Sequence, residues 1–169
     1  AIEQSQNAPA AWLAKELTPQ AVFDWMTKQL HFTTLDAERD PNLAPMALGG
    51  LTNGVTVREL TAAYQVFANG GVYHEPYTYT YVKDHDGNVI LDNRPEANPG
   101  EQVMSVDDAT VMNKLLQRPI YGSWGTATSI LSDLPTQIFG KTGTTDDEYD
   151  LWFVGSTPFC VAGIWNGYA

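Results

Sequence analysis

The residues of this chain whose types and spacing could do chemistry lie in Phe139-Gly140-Lys141-Thr142-Gly143-Thr144-Thr145. Lys141 brings a positive charge, and Thr142 and Thr144 bring hydroxyl donors. Residues two apart on a strand share a face, so the two hydroxyls point the same way. Gly143 has no side chain, which lets a backbone or a ligand approach closely. On an edge strand, unpaired N–H groups would add to this set. Together these features suit the carboxylate end of an extended peptide. An ordinary strand ending in a Thr/Gly turn would use the same letters. A second cluster, Ser5-Gln6-Asn7, opens the chain. By itself it reads as capping at a helix entry, with Pro9 allowed in the first turn.

The elements that must position these clusters follow from patterning. Pro135 to Phe139 is short, apolar and partly β-branched, and predicts a strand. Leu151–Gly155 and Phe159–Trp165 predict two more, joined to the first through the polar turn 144–150 as antiparallel neighbours. Asp146, Asp147 and Glu148 lie in that turn, either as a solvated face or as groups that tune charge preference. Ahead of the strands the pattern is helical. Ala10–Leu17 forms one helix. Thr18 caps another with Pro19 first, and Val22, Phe23, Met26 and Leu30 fall at helical spacing. His31 to Pro45 reads as a loop, and His31 has no ligand-spaced partner. Gly49, Gly50 and Gly54 demand unusual backbone angles or tight packing. They lack the spacing of a phosphate loop. Thr56 and Glu59 make a capping box for a helix with Leu60, Ala63, Tyr64 and Phe67 on its buried stripe, ended by Asn69-Gly70-Gly71. Val72–Val82 and Val89–Leu91 predict a hairpin around Asp86-Gly87. Residues 93–101 form a polar linker. Ser105 caps a helix with Ala109, Met112, Leu115 and Leu116 inward. Pro119–Thr126 is a glycine-rich loop, and 127–134 holds one helical turn.

Composition bounds the function. The chain has 169 residues, 43% hydrophobic, which is enough for one domain with a real core. Its net charge of −11 argues against nucleic acid and against anionic membrane surfaces. The single cysteine, Cys160, lies in an apolar run and is expected in the core. No apolar stretch is long enough to span a membrane.

Serine-x-asparagine and lysine-threonine-glycine are two of the three signatures of penicillin-binding proteins and their β-lactamase relatives. Here they stand as Ser5-Gln6-Asn7 and Lys141-Thr142-Gly143. Residues 47–56 (Ala-Leu-Gly-Gly-Leu-Thr-Asn-Gly-Val-Thr), 62–71 (Ala-Ala-Tyr-Gln-Val-Phe-Ala-Asn-Gly-Gly) and 150–158 (Asp-Leu-Trp-Phe-Val-Gly-Ser-Thr-Pro) complete an ordered set. The set resembles the transpeptidase domain of class A, bifunctional penicillin-binding proteins over nearly the whole chain. The third signature, serine-x-x-lysine, is missing: Ser5, Ser105, Ser123, Ser129, Ser132 and Ser156 are followed at that spacing by Ala8, Asp108, Thr126, Ser132, Pro135 and Phe159. The resemblance therefore makes residues 1–169 the C-terminal portion of one transpeptidase domain, with the nucleophilic serine expected upstream of Ala1.

The resemblance implies a partial penicillin-binding-protein/β-lactamase-like fold of class α+β, an antiparallel sheet flanked by helices. It implies cross-linking of peptidoglycan stem peptides through a serine acyl-enzyme, with β-lactam antibiotics binding as mimics of D-alanyl-D-alanine. Ser5 and Lys141 would be catalytic, Ser5 relaying protons and Lys141 supplying positive potential. Asn7, Thr142, Gly143, Thr144 and Thr145 would bind substrate, the Thr144 N–H forming half of an oxyanion hole. No metal or cofactor is implied. The partners expected are the stem peptide, β-lactams and the upstream half of the same domain, with self-association of the isolated fragment and no nucleic acid. The parent would be anchored with this domain on the extracytoplasmic face of the bacterial cytoplasmic membrane. Two other readings share the motifs: a non-catalytic module with a vestigial site, and a serine β-lactamase or β-lactam sensor.

Overall fold

The computed structural model describes residues 1–168. A 3-10 turn, Ile2–Gln4, leads into α1 (Asn7–Leu17) and α2 (Pro19–Lys28). Thr18 caps α2 by accepting from the Ala21 N–H at 3.3 Å, with Pro19 in the first turn where its missing N–H costs nothing. α3 (Leu43–Leu48) and α4 (Val57–Tyr64) follow. The Thr56–Glu59 capping box of α4 forms, and Glu59 also accepts from the N–H and hydroxyl of Thr33, each at 2.7 Å. One carboxylate thus starts a helix and pins the preceding loop to it.

The helical core consists of Leu30, Phe32, Ala62, Ala63, Val66 and Tyr73, with Met26, Leu60 and Phe67 against it. Beside it Asp40 is fully buried. Burial pushes its carboxyl up. The N–H groups of Asp36 and Thr52 and the Thr52 hydroxyl, all within 2.9 Å, outweigh that and hold it below the usual range. Asp40 thereby fixes the glycine-bearing segment from Gly49 to Gly54, which forms one wall of the site.

Two small antiparallel pairs come next: β1 (Val72–Tyr73) with β4 (Glu101–Gln102), and β2 (Tyr81–Lys83) with β3 (Val89–Asp92). Ser105 caps α5 (Val106–Leu116), which runs into α6 (Arg118–Tyr121) and α7 (Thr128–Leu131). The main sheet is β5 (Phe139–Thr144), β6 (Asp150–Ser156) and β7 (Val161–Gly167), antiparallel in the order β5-β6-β7. α4 seats on one face, where a Cβ on Gly163 would collide with the Thr61 hydroxyl. A second cluster of Ile120, Ala127 and Ile138, with Phe153 against it, fills the other face. Helices with antiparallel strands make the fold α+β, as expected.

Several expectations are corrected. The strand placed at Pro135–Phe139 starts only at Phe139, so the Lys-Thr-Gly residues are themselves the strand. Tyr121 explains the shift: its hydroxyl takes the Ile138 N–H at 2.9 Å, and the chain up to there is tied to α6 rather than to a ladder. The third strand starts at Val161, because residues 157–160 make the β6–β7 turn. Cys160 is therefore exposed, not a core residue. Pro45 lies inside α3 rather than in a loop, and Pro119 inside α6, both near a first turn where proline is tolerated. The segment after Tyr73 is not one long strand: β1 finds its partner in Glu101–Gln102, which straddles the end of the stretch that reads as a linker. Leu115 points to solvent, and so do Trp12, Leu13 and Leu17 of α1.

Candidate active site

The turn that opens the chain and the first strand of the main sheet meet side chain to side chain. Ser5 is not a cap: α1 begins at Asn7 with no side-chain cap bond. Instead Lys141 Nζ donates to Ser5 Oγ at 2.6 Å, across 136 positions of sequence, and to the Thr142 carbonyl at 2.8 Å. Ser5 has φ 52° and ψ 44°, the left-handed region that L-residues enter at a cost of about 1–2 kcal/mol. That turn lets the chain reverse between the Ile2–Gln4 turn and α1 and aims the hydroxyl at β5. Lys141 is half-buried, and burial lowers its pKa from the ordinary lysine value. The ammonium is thus easier to deprotonate than a surface lysine, which suits a group that hands protons to a neighbouring hydroxyl.

β5 is an edge of its sheet. Lys141 and Gly143 belong to one face, Thr142 and Thr144 to the other. The Thr142 hydroxyl meets the Thr126 hydroxyl at 2.8 Å. Gly143 pairs with Trp152, and a Cβ there would sit 3.3 Å from the Trp152 Cβ. Thr144 is exposed at the strand end. The Thr145 hydroxyl is engaged by Asp150, donating to Oδ2 at 3.1 Å and accepting from the Asp150 N–H at 2.8 Å. Trp165 Nε1 donates to the other Asp150 oxygen at 2.8 Å, so the turn is locked to β7. Asp146, Asp147 and Glu148 are exposed, the latter two with positive φ. Asn7, first residue of α1, is exposed two positions from Ser5. Lys141 to Thr145 line a cleft of about 770 Å³ that runs past Gly49, Gly54 and Leu60.

A brace joins the Ser5 turn to the segment before β5. Glu3 Oε2 accepts from Arg118 Nε at 2.9 Å and Nη2 at 2.6 Å, and Glu3 Oε1 accepts from the Trp124 N–H at 3.1 Å. The Trp124 N–H, then the Arg118 guanidinium, hold the Glu3 carboxyl below its usual range. A Cβ on Gly122 would collide with this carboxylate. Glu3, Arg118 and Thr126 escape motif reading because they are single letters far apart; only the glycines at 122 and 125 signal a close approach.

Residues 1–159 match the family described as "Penicillin binding protein transpeptidase domain". The chain belongs to that family. Penicillin-binding protein 1A of Clostridium novyi is 39% identical over 136 residues, covering 78% of this chain and 15% of the relative. Penicillin-binding protein 4 of Bacillus subtilis is 34% identical over 168 residues, 99% of this chain and 25% of the relative. The solved penicillin-binding protein PonA1 of Mycobacterium tuberculosis superposes with TM-score 0.78 at 26% identity, over 100% of this chain and 47% of that one. Penicillin-binding protein 1A of Haemophilus influenzae, at 22% identity and TM-score 0.76, shares the fold over 99% of this chain and 29% of that one. This transpeptidase-family chain thus spans a quarter or less of the two curated relatives. Among its described residues no helix is long and apolar enough to cross a membrane, and no group of three His, Cys, Asp or Glu could hold a metal.

Proposed function

We propose that this chain supplies two of the three catalytic motifs of a peptidoglycan D,D-transpeptidase, and that a segment preceding Ala1 supplies the third. The observation that carries the reading is the 2.6 Å contact between Lys141 and Ser5 beside an edge strand that ends in hydroxyls. In this reading residues 1–169 are the C-terminal portion of one domain, and the upstream segment lies along the 770 Å³ cleft between α4 and β5. Its serine hydroxyl attacks the D-alanyl-D-alanine carbonyl. The C–N bond breaks, D-alanine leaves with a proton, and a stem-peptide amine then displaces the serine from the ester. Covalent catalysis of this kind splits one hard step into two.

Ser5 passes the proton to the leaving nitrogen, and Lys141 keeps Ser5 oriented and offers positive potential to the terminal carboxylate. Thr142 and Thr144 bind that carboxylate, Asn7 holds a substrate amide, and Gly143 leaves room for the extended peptide. The Thr144 N–H stabilises the oxyanion, a donor worth about 3 kcal/mol in such sites. Thr145, whose hydroxyl is held by Asp150, acts by shaping the turn. A β-lactam follows the same route to a slowly hydrolysed ester. The parent works on the extracytoplasmic face of the cytoplasmic membrane.

Fluorescent penicillin tests this. The full-length protein becomes covalently labelled, on a serine outside this chain, whereas residues 1–169 alone take no label. A labelled serine within the chain, or an unlabelled full-length protein, overturns the assignment.

A further inference from the structure

We propose that Thr126 is a positioning residue for the substrate carboxylate, acting through Thr142; the inference rests on the transpeptidase reading above. Thr126 lies outside every motif in the sequence, on the loop between α6 and α7. Its hydroxyl is 2.8 Å from that of Thr142. Two hydroxyls carry two O–H groups. One lies between the oxygens, and the other remains for a ligand in the cleft. In the unliganded structure Thr142 donates to Thr126. An anion beside β5 turns both hydroxyls around, so that Thr126 donates to Thr142 Oγ1 and Thr142 donates to the anion. The first bond polarises the second, so the pair is a stronger donor than a lone threonine.

The loop is built to hold Thr126 still. The Gly125 N–H donates to the Gly122 carbonyl at 2.9 Å, and the Thr128 hydroxyl donates to the same carbonyl at 2.8 Å. The Ala127 N–H donates to the Pro119 carbonyl at 3.0 Å, and Ala127 is buried. A Cβ on Gly125 would collide with the Pro119 carbonyl, so the close approach depends on glycine. Thr126 is flanked by these anchored residues on both sides. The same segment receives Glu3 at Arg118 and Trp124. One loop thus sets both the Ser5 turn and the Thr142 hydroxyl, and the distance between proton relay and carboxylate site is fixed by a single rigid piece.

The test uses the full-length protein, with benzylpenicillin and its carboxylate methyl ester as probes, and the variants Thr126→Val and Thr126→Ser. Valine keeps the shape and removes the hydroxyl. Thr126→Val raises the apparent dissociation constant for benzylpenicillin about fourfold, because the Thr142–anion bond survives and loses only the strengthening that the Thr126 donor gives it. Acylation at saturation stays within about threefold, and the methyl ester, which lacks the anion, changes less than about twofold. Thr126→Ser restores benzylpenicillin binding. An equal loss for acid and ester shows that Thr126 only supports the loop and overturns the proposal, as does an unchanged constant for the acid. A wild-type protein that neither probe acylates overturns the transpeptidase reading itself.

Discussion

Ser5 combines two demands that conflict. Its hydroxyl must meet Lys141, and its backbone must turn through the left-handed region to bring it there. Replacing it separates the two. Ser5→Ala and Ser5→Gly both delete the hydroxyl, but only glycine tolerates φ 52° without strain. Ser5→Gly is expected to be more stable than Ser5→Ala by about 1 kcal/mol in denaturant unfolding, while both lose acylation to the same degree. Equal stability would mean that the turn relaxes in solution. On the proposed reading, Lys141 carries the pH dependence of acylation. Burial lowers its pKa, so the ammonium is lost at lower pH than in the unfolded chain. Acylation therefore declines on the alkaline side below the lysine range of about 10.4, and Lys141→Arg, if it keeps activity, moves the decline upward. The same shift makes folding stability rise with pH across that window, because the unfolded chain binds more protons there. A decline that ignores Lys141→Arg would assign the titration to another group.

At the scale of elements, β5 and β6 depend on a pair of glycines. Gly140 lies directly opposite Gly155, and the Phe153 ring packs over both. A Cβ on Gly155 would sit 2.6 Å from the Phe139 carbonyl and 3.0 Å from that ring. Gly155→Ala should cost about 1–3 kcal/mol, read from the urea midpoint, as overpacking does. A neutral result would show that the ring is free to swing away. This cross-strand arrangement was invisible in the sequence, where Gly140 reads only as a neighbour of Lys141. Local signals fared better. The Thr56–Glu59 box, the Thr18-Pro19 start of α2 and the Ser105 cap all form, since each is decided within one turn of chain. Ser5 and Asn7 show the opposite case. Their letters fit a cap, and only a contact 136 positions away shows that Ser5 is engaged elsewhere. Cys160 is exposed for a related reason: an apolar run predicts burial, but the hairpin turn takes its first residues.

At the largest scale, residues 1–169 leave apolar surface uncovered. Trp12 (63%), Leu13 (53%) and Leu17 (56%) of α1, and Ile164 (63%) on β7, face solvent. β7 is also a sheet edge with open backbone groups. Large exposed apolar patches mark surfaces that take a partner. Residues 1–169 by themselves are expected to self-associate, seen as concentration-dependent sedimentation, and Leu13→Lys with Ile164→Lys should shift the distribution toward monomer. A monodisperse monomer at all concentrations would contradict this.

The central claim is that Ser5 and Lys141 act as one proton-handling unit. A double-mutant cycle on the acylation rate of the full-length protein by fluorescent penicillin tests it most directly, using Ser5→Ala, Lys141→Ala and the pair. Each single change should lower the rate by about 10²-fold or more. Because the two act together, the double variant should fall no further than about threefold below the worse single one. Losses that multiply would mean that the two groups work independently, and the contact between them would not be the basis of the site.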